Sequence, residues 1–193
     1  MEHFYTIQGE GAHSGVAAYF IRLGGCDVGC FWCDVKESWD AELHPKYSIE
    51  EIISWPVEAN AITVVITGGE PLMHNLDALT QALQAKGIKT HIETSGAHPY
   101  SGQWDWVTFS PKKFKEPHPS ILDKANELKV IVYNKHDFEF AQQYEQLVNS
   151  SCKLYLQPEW DKSAQMLPLI IEYVKANPQW RISLQTHKYM NIP

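Results

Sequence analysis

The chain has 193 residues, 44% hydrophobic and 20% charged, with a net charge of −7. That length accommodates one domain with a buried core, and the composition excludes disorder, collagen-like repeats and coiled coils. An acidic chain also lacks the Lys and Arg footprint that nucleic acid and membrane surfaces require, so neither is expected as a partner.

Short β-branched and aromatic runs recur along the chain. In order they are AAYFIRL (17–23), ITVVITG (62–68), KTHIETS (89–95), WVTFSP (106–111), ELKVIVY (127–133), KLYLQP (153–158) and RISLQ (181–185), and each reads as a buried strand. Helical spacing appears between them. Leu76, Leu79 and Leu83 share one face, Phe140, Tyr144, Leu147 and Val148 another, and Leu167, Ile170, Ile171 and Val174 a third. Breaks fall at LHPKY (43–47), KEPHPS (115–120) and ANPQW (176–180), the last expected to stop the final helix. Alternating strands and helices predict an α/β fold with a mostly parallel sheet, helix-covered and therefore apolar on both faces. With six or seven strands and about four helices, the chain is too short for a full eight-unit barrel of about 250 residues. An abbreviated, TIM-like barrel or an open sheet is expected, as a single domain over residues 1–193. No apolar run approaches the roughly 18 residues of a membrane span, and no signal-peptide layout follows Met1, which points to a cytoplasmic address.

Three of the four cysteines, Cys26, Cys30 and Cys33, lie in RLGGCDVGCFWCDVKESW directly after the first of these strands. In a reducing compartment such clustering favours metal binding or redox work. Gly24, Gly25 and Gly29 permit the sharp turns that would let three thiolates converge. A four-iron cluster normally takes four thiolates, so three would leave one iron open to a small ligand through an amine and a carboxylate. Phe31 and Trp32 are placed to limit solvent access. The competing reading is a structural zinc site with His44 as fourth ligand. Cys152 reads as a buried small hydrophobe.

Ligands of parallel α/β folds sit beyond the carboxyl ends of the strands. There the chain carries TGGEP (67–71), ETSG (93–96), SPKK (110–113) and LQPEW (156–160). The glycines of TGGEP permit close backbone approach, and Glu70 offers a carboxylate to an amine. Taken singly, ETSG and LQPEW read more readily as turns with helix caps than as ligand contacts.

The cysteine loop with TGGEP resembles the radical S-adenosylmethionine superfamily. YTIQGEG (5–11) and the terminal LQTHKYMNIP narrow the resemblance, over nearly the whole chain, to the 7-carboxy-7-deazaguanine synthase family. The resemblance implies a homodimeric partial barrel and conversion of 6-carboxy-5,6,7,8-tetrahydropterin to 7-carboxy-7-deazaguanine with loss of ammonia, towards queuosine and other deazapurines. It implies a [4Fe-4S] cluster on Cys26, Cys30 and Cys33, fed by an external one-electron donor such as a flavodoxin. S-adenosylmethionine would be held by Trp32, Cys33, Asp34, Gly69, Glu70, Ser110, Pro111, Lys112 and Gln157. The pterin would be held by Gln8, Gly9, Glu10, Arg22 and Thr67, with the Pro193 carboxylate closing the site. Arg22 suits a carboxylate, because a guanidinium fork matches that geometry. The family commonly has threonine after Cys-Asp as a Mg²⁺ ligand, but Val35 stands here and supplies no side-chain oxygen. The same cysteine spacing also occurs in small activases that generate a glycyl radical on a partner protein.

Overall fold

In the computed structural model, which describes residues 1–193, eight strands form one sheet in sequence order. They are β1 (Glu2–Ile7), β2 (Ala17–Leu23), β3 (Thr63–Gly68), β4 (Lys89–Thr94), β5 (Trp106–Phe109), β6 (Glu127–Val132), β7 (Lys153–Pro158) and β8 (Trp180–Ile182). All neighbouring pairs are parallel except β1 with β2. The sheet curls into a partial barrel in which β1 and β8 do not pair. Five α-helices accompany it: α1 (Ile49–Glu58), α2 (Asp77–Ala85), α3 (Asp137–Glu145), α4 (Ser163–Ala176) and α5 (Thr186–Met190).

The strand count is eight rather than six or seven. The additional strand, β1, is an antiparallel edge strand with exposed Glu2, His3 and Tyr5, so it shows no apolar run to read. Of the unexpected helices, α1 starts at a capping box formed by Ser48 and Glu51 and carries Pro56 inside it. That proline masks the helical pattern, since it removes a hydrogen bond from the interior. ANPQW does stop α4, but α5 follows it.

The expectation that both sheet faces are apolar is corrected. Leu128, Val130 and Val132 of β6, with Leu154 and Leu156 of β7, face outward into one hydrophobic cluster with Leu79, Leu83, Met166 and Ile170 of the helices. The alternate residues, among them Arg22, Thr67, Glu93, Lys129 and Gln157, point inward and line a cavity. The strands therefore follow period two, apolar outside and polar inside.

The gap between β8 and β1 is laced by side chains. Gly11 N donates to Ser183 Oγ (2.9 Å), Ala12 N donates to Glu127 Oε2 (2.9 Å), and both Thr186 N and Oγ1 donate to Gly9 O (2.9 Å each). The QGEG turn thus plugs the barrel from the N-terminal side, and the C-terminal tail crosses its mouth.

Candidate active site

The loop after β2 carries Cys26, Cys30 and Cys33 as free thiols. Gly25 and Gly29 adopt φ of 105° and 75°, left-handed turns that glycine takes without penalty. The loop is tied to the TGGE turn after β3: Gly69 N donates to Leu23 O (3.0 Å) and Glu70 N to Gly25 O (2.8 Å). A Cβ on Gly69 would lie 2.2 Å from Gly25 O and 2.8 Å from the Cys26 Cβ. Gly69→Ala is therefore expected to displace the cysteine loop and lower the iron bound after anaerobic reconstitution to less than half, measured as iron per chain; full iron loading would refute it.

Glu70 is 1% exposed. Its Oε1 accepts from Leu72 N (3.0 Å) and Thr94 Oγ1 (2.5 Å), and its Oε2 from Ser95 N (2.8 Å) and Ser95 Oγ (2.5 Å). Its carboxylate is thus committed to the framework, contrary to the expectation that it is offered to an amine. ETSG has its physical role here, anchoring that glutamate.

One cavity of about 560 Å³ lies inside the strand ends. Cys26, Cys30, Trp32, Cys33, Asp34, Val35, Gly69, Glu70, Ser110, Lys112 and Gln157 line it, together with Gln8, Gly9, Glu10, Arg22, Thr67 and Pro193. Pro111 does not; it lines an adjoining cavity of about 180 Å³ with Phe114 and Tyr133. Phe31, expected as a shield, is 55% exposed yet lines both cavities beside Trp32, packed edge-on against Phe114 and Tyr133.

The thiols fit a cluster better than a lone ion. Three free thiols of one loop border a single cavity, the donor set that a four-iron cluster with one open corner takes. His44, the would-be zinc ligand, has its Nε2 2.8 Å from Glu37 O. Burial pushes the Cys30 thiol up to about 11, partly offset by the Lys112 ammonium. Burial likewise lowers Lys112 to about 8, and its Nζ donates to Ser110 O and Oγ (2.6 Å each). Cys152 lies in the hydrophobic cluster, as expected.

A buried ion network escaped the sequence reading. Lys129 donates to Glu10 Oε2 and to Glu93 Oε2 (2.9 Å), while Gln8 Nε2 donates to Glu93 Oε1 (2.7 Å). Burial alone would raise Glu10, but the Lys129 ammonium outweighs it and holds the carboxyl at about 2. The available signal was the inward alternation Glu127, Lys129, Ile131 within an otherwise apolar strand. Arg22 Nε lies 2.7 Å from Glu2 Oε1 without hydrogen-bond alignment, and Lys188 Nζ lies 3.2 Å from Asp34 Oδ2.

A partial parallel barrel with three thiols beyond β2 and a glycine-tight turn beyond β3 defines a radical S-adenosylmethionine enzyme, and the Radical SAM superfamily model matches residues 20–131. The 7-carboxy-7-deazaguanine synthase of Flavobacterium psychrophilum is 58% identical over all of this chain and 91% of its own length. The enzyme of the same name from Synechocystis is 49% identical over 99% of this chain and 91% of its own. The crystal structure of QueE from Escherichia coli superposes with a TM-score of 0.84 at 35% identity, covering 95% of this chain and 91% of that one. The chain belongs to the 7-carboxy-7-deazaguanine synthase family. Membership implies a [4Fe-4S] cluster and S-adenosylmethionine.

Proposed function

We propose that residues 1–193 act as one radical S-adenosylmethionine domain, a lyase converting 6-carboxy-5,6,7,8-tetrahydropterin to 7-carboxy-7-deazaguanine and ammonia in queuosine biosynthesis. The observation that carries this reading is one cavity bounded on one side by three free thiols and on the other by the QGEG turn and the Pro193 terminus. When bound, the cluster supplies the electron that cleaves S-adenosylmethionine to an adenosyl radical.

The chain's own residues divide the cavity. Trp32, Asp34, the Gly69–Glu70 backbone, Ser110, Lys112 and Gln157 surround the adenosyl ligand, with Pro111 behind them. Gln8, Gly9, Glu10, Arg22 and Thr67 surround the pterin, with Arg22 opposite its carboxylate. The C-terminal tail borders the cavity, with Thr6 Oγ1 donating to Pro193 O (3.4 Å). Deletion of Pro193 is expected to weaken pterin binding at least tenfold while leaving S-adenosylmethionine binding within about twofold, as read by calorimetry; equal losses would refute the closing role.

The site does not fit a protein-held Mg²⁺. Val35 has no side-chain oxygen, and its carbonyl accepts from Ser38 Oγ (2.6 Å). Magnesium bound by ligand and water alone, or no magnesium at all, follows from hard-cation coordination. Val35→Thr, which restores a side-chain oxygen, is expected to lower the Mg²⁺ concentration for half-maximal turnover by about tenfold or more after chelation; the same Mg²⁺ response in variant and wild type would oppose this, and wild-type turnover lost on chelation and restored only by Mg²⁺ would show that Mg²⁺ is not dispensable.

A homodimer in the cytoplasm, reduced by an external one-electron donor of the flavodoxin type, completes the proposal. No helix is long and apolar enough to cross a membrane. The test is anaerobic incubation of reconstituted protein with reductant, S-adenosylmethionine and the carboxy-tetrahydropterin. The deazaguanine should appear with one equivalent of ammonia, and reductive cleavage without it would overturn the substrate assignment.

A further inference from the structure

Between Cys26 and Cys33 the cysteine loop makes no backbone hydrogen bond to any other segment. Its backbone ties lie at its base, where Glu70 N donates to Gly25 O (2.8 Å), Gly25 N to Ser38 O (2.6 Å) and Cys26 N to Trp39 O (3.1 Å). The three thiols are thus carried on an arc that side chains must hold. Val28 and Cys30 are buried, but a Cβ on Gly29 would meet nothing within 4 Å, so packing does not fix the chain between the first two cysteines at that point.

Asp27 makes the only side-chain hydrogen bonds from this arc to other segments. Its Oδ1 accepts from His98 Nε2 (2.9 Å) in the loop after β4, and its Oδ2 from Lys115 Nζ (2.5 Å) in the loop after β5. A carboxylate can take one donor on each oxygen, so two strand-end loops meet on one side chain. The β5 loop reaches Asp27 by doubling back. Lys112 and Lys115 form an isolated antiparallel bridge, and the turn between them sets Phe114 against Phe31 and Trp32, with ring centroids 5.7 and 6.2 Å apart. One turn therefore grips the arc twice, by charge near Cys26 and by aromatic contact beside Cys30 and Cys33.

We propose that Asp27, His98 and Lys115 form an ionic clasp that holds the cysteine loop in the conformation that retains a [4Fe-4S] cluster, with Asp27 a positioning residue that acts through Cys26 and Cys30. It rests on the assignment of the three thiols as cluster ligands. Iron leaves when the sulfurs separate, and the clasp resists the outward swing of the arc that separates them. The side chains of His98, Lys115 and Asp27 are 22%, 32% and 42% exposed. Their attraction is therefore modest and weakened by salt.

The test follows iron release from anaerobically reconstituted protein to an excess of a ferrous chelator, at about 0.05 M and about 0.5 M salt. At low salt Asp27→Asn and Lys115→Gln should each release iron about three- to fivefold faster than wild type. The double variant should be no faster than Asp27→Asn alone, because both substitutions remove the same contact. Lys115→Arg keeps the cation and should stay within about twofold of wild type. High salt should bring wild type towards the Asp27→Asn rate and leave that variant unchanged, a comparison made within one chain and so independent of how the variants fold. Wild-type release that ignores salt, a wild-type rate in Asp27→Asn, or additive effects in the double variant would overturn the clasp alone. A wild type that takes up no iron would overturn the cluster assignment and the clasp with it.

Discussion

Cys30→Ala is expected to abolish reductive cleavage of S-adenosylmethionine while leaving the fold intact. Cys30 is the most buried of the three loop thiols, and its burial raises its pKa to about 11. A thiol so placed releases its proton to solvent only as a metal binds the sulfur, and the metal's charge supplies the stabilisation of the thiolate that buried surroundings do not. Removing it leaves two ligands where three are needed to hold a four-iron cluster with one corner free. The loop lies outside the hydrophobic cluster of strands and helices, so the melting temperature of the metal-free protein should stay within a few degrees of wild type. Iron content, the brown colour and methionine release under dithionite measure the outcome. Turnover at the wild-type rate in this variant would remove the assignment of the loop.

The second large effect is expected at Lys129. Its side chain is 4% exposed and pairs with both Glu10 and Glu93. Lys129→Met preserves most of the volume but strands two carboxylates inside the barrel, a loss of about 3–5 kcal/mol when one partner of a buried pair is removed. The pH dependence should also change sign. In wild type the Glu10 carboxyl is depressed from its ordinary 4.5 to about 2, so its contribution is full above pH 4.5 and fades as pH falls through about 2. Without Lys129, burial raises the Glu10 carboxyl above its unfolded value, so the variant should gain stability as pH falls from 7 towards 5. Melting curves across that range decide it; a parallel pH dependence in the two proteins would show that the network does not hold the barrel. Pterin affinity should fall with it, because Glu10 loses its ammonium partner and Glu93, which holds Gln8, loses its own.

The chemistry was legible wherever a short segment carries its own reason. Cys26, Cys30 and Cys33 are close in sequence and end on one cavity, and the glycines of TGGEP are needed for contact with the neighbouring loop. The seven parallel strands were legible too, because their outer faces are apolar in sequence. Features that depend on distant segments were not. Lys129 and Glu10 are 119 residues apart, and nothing in either strand announces the other. Pro111 was carried along by its neighbours Ser110 and Lys112, yet the turn after β5 sends it into the adjoining space. The antiparallel β1 was hidden because its residues face solvent and meet β2 only once the chain has doubled back.

The tail that crosses the barrel mouth also constrains how this protein can be handled. An affinity tag or fluorescent reporter fused directly after Pro193 would push foreign chain against Thr6 and the residues that line the cavity. Extensions on the side of β1, whose Glu2, His3 and Tyr5 face outward, leave that cavity untouched.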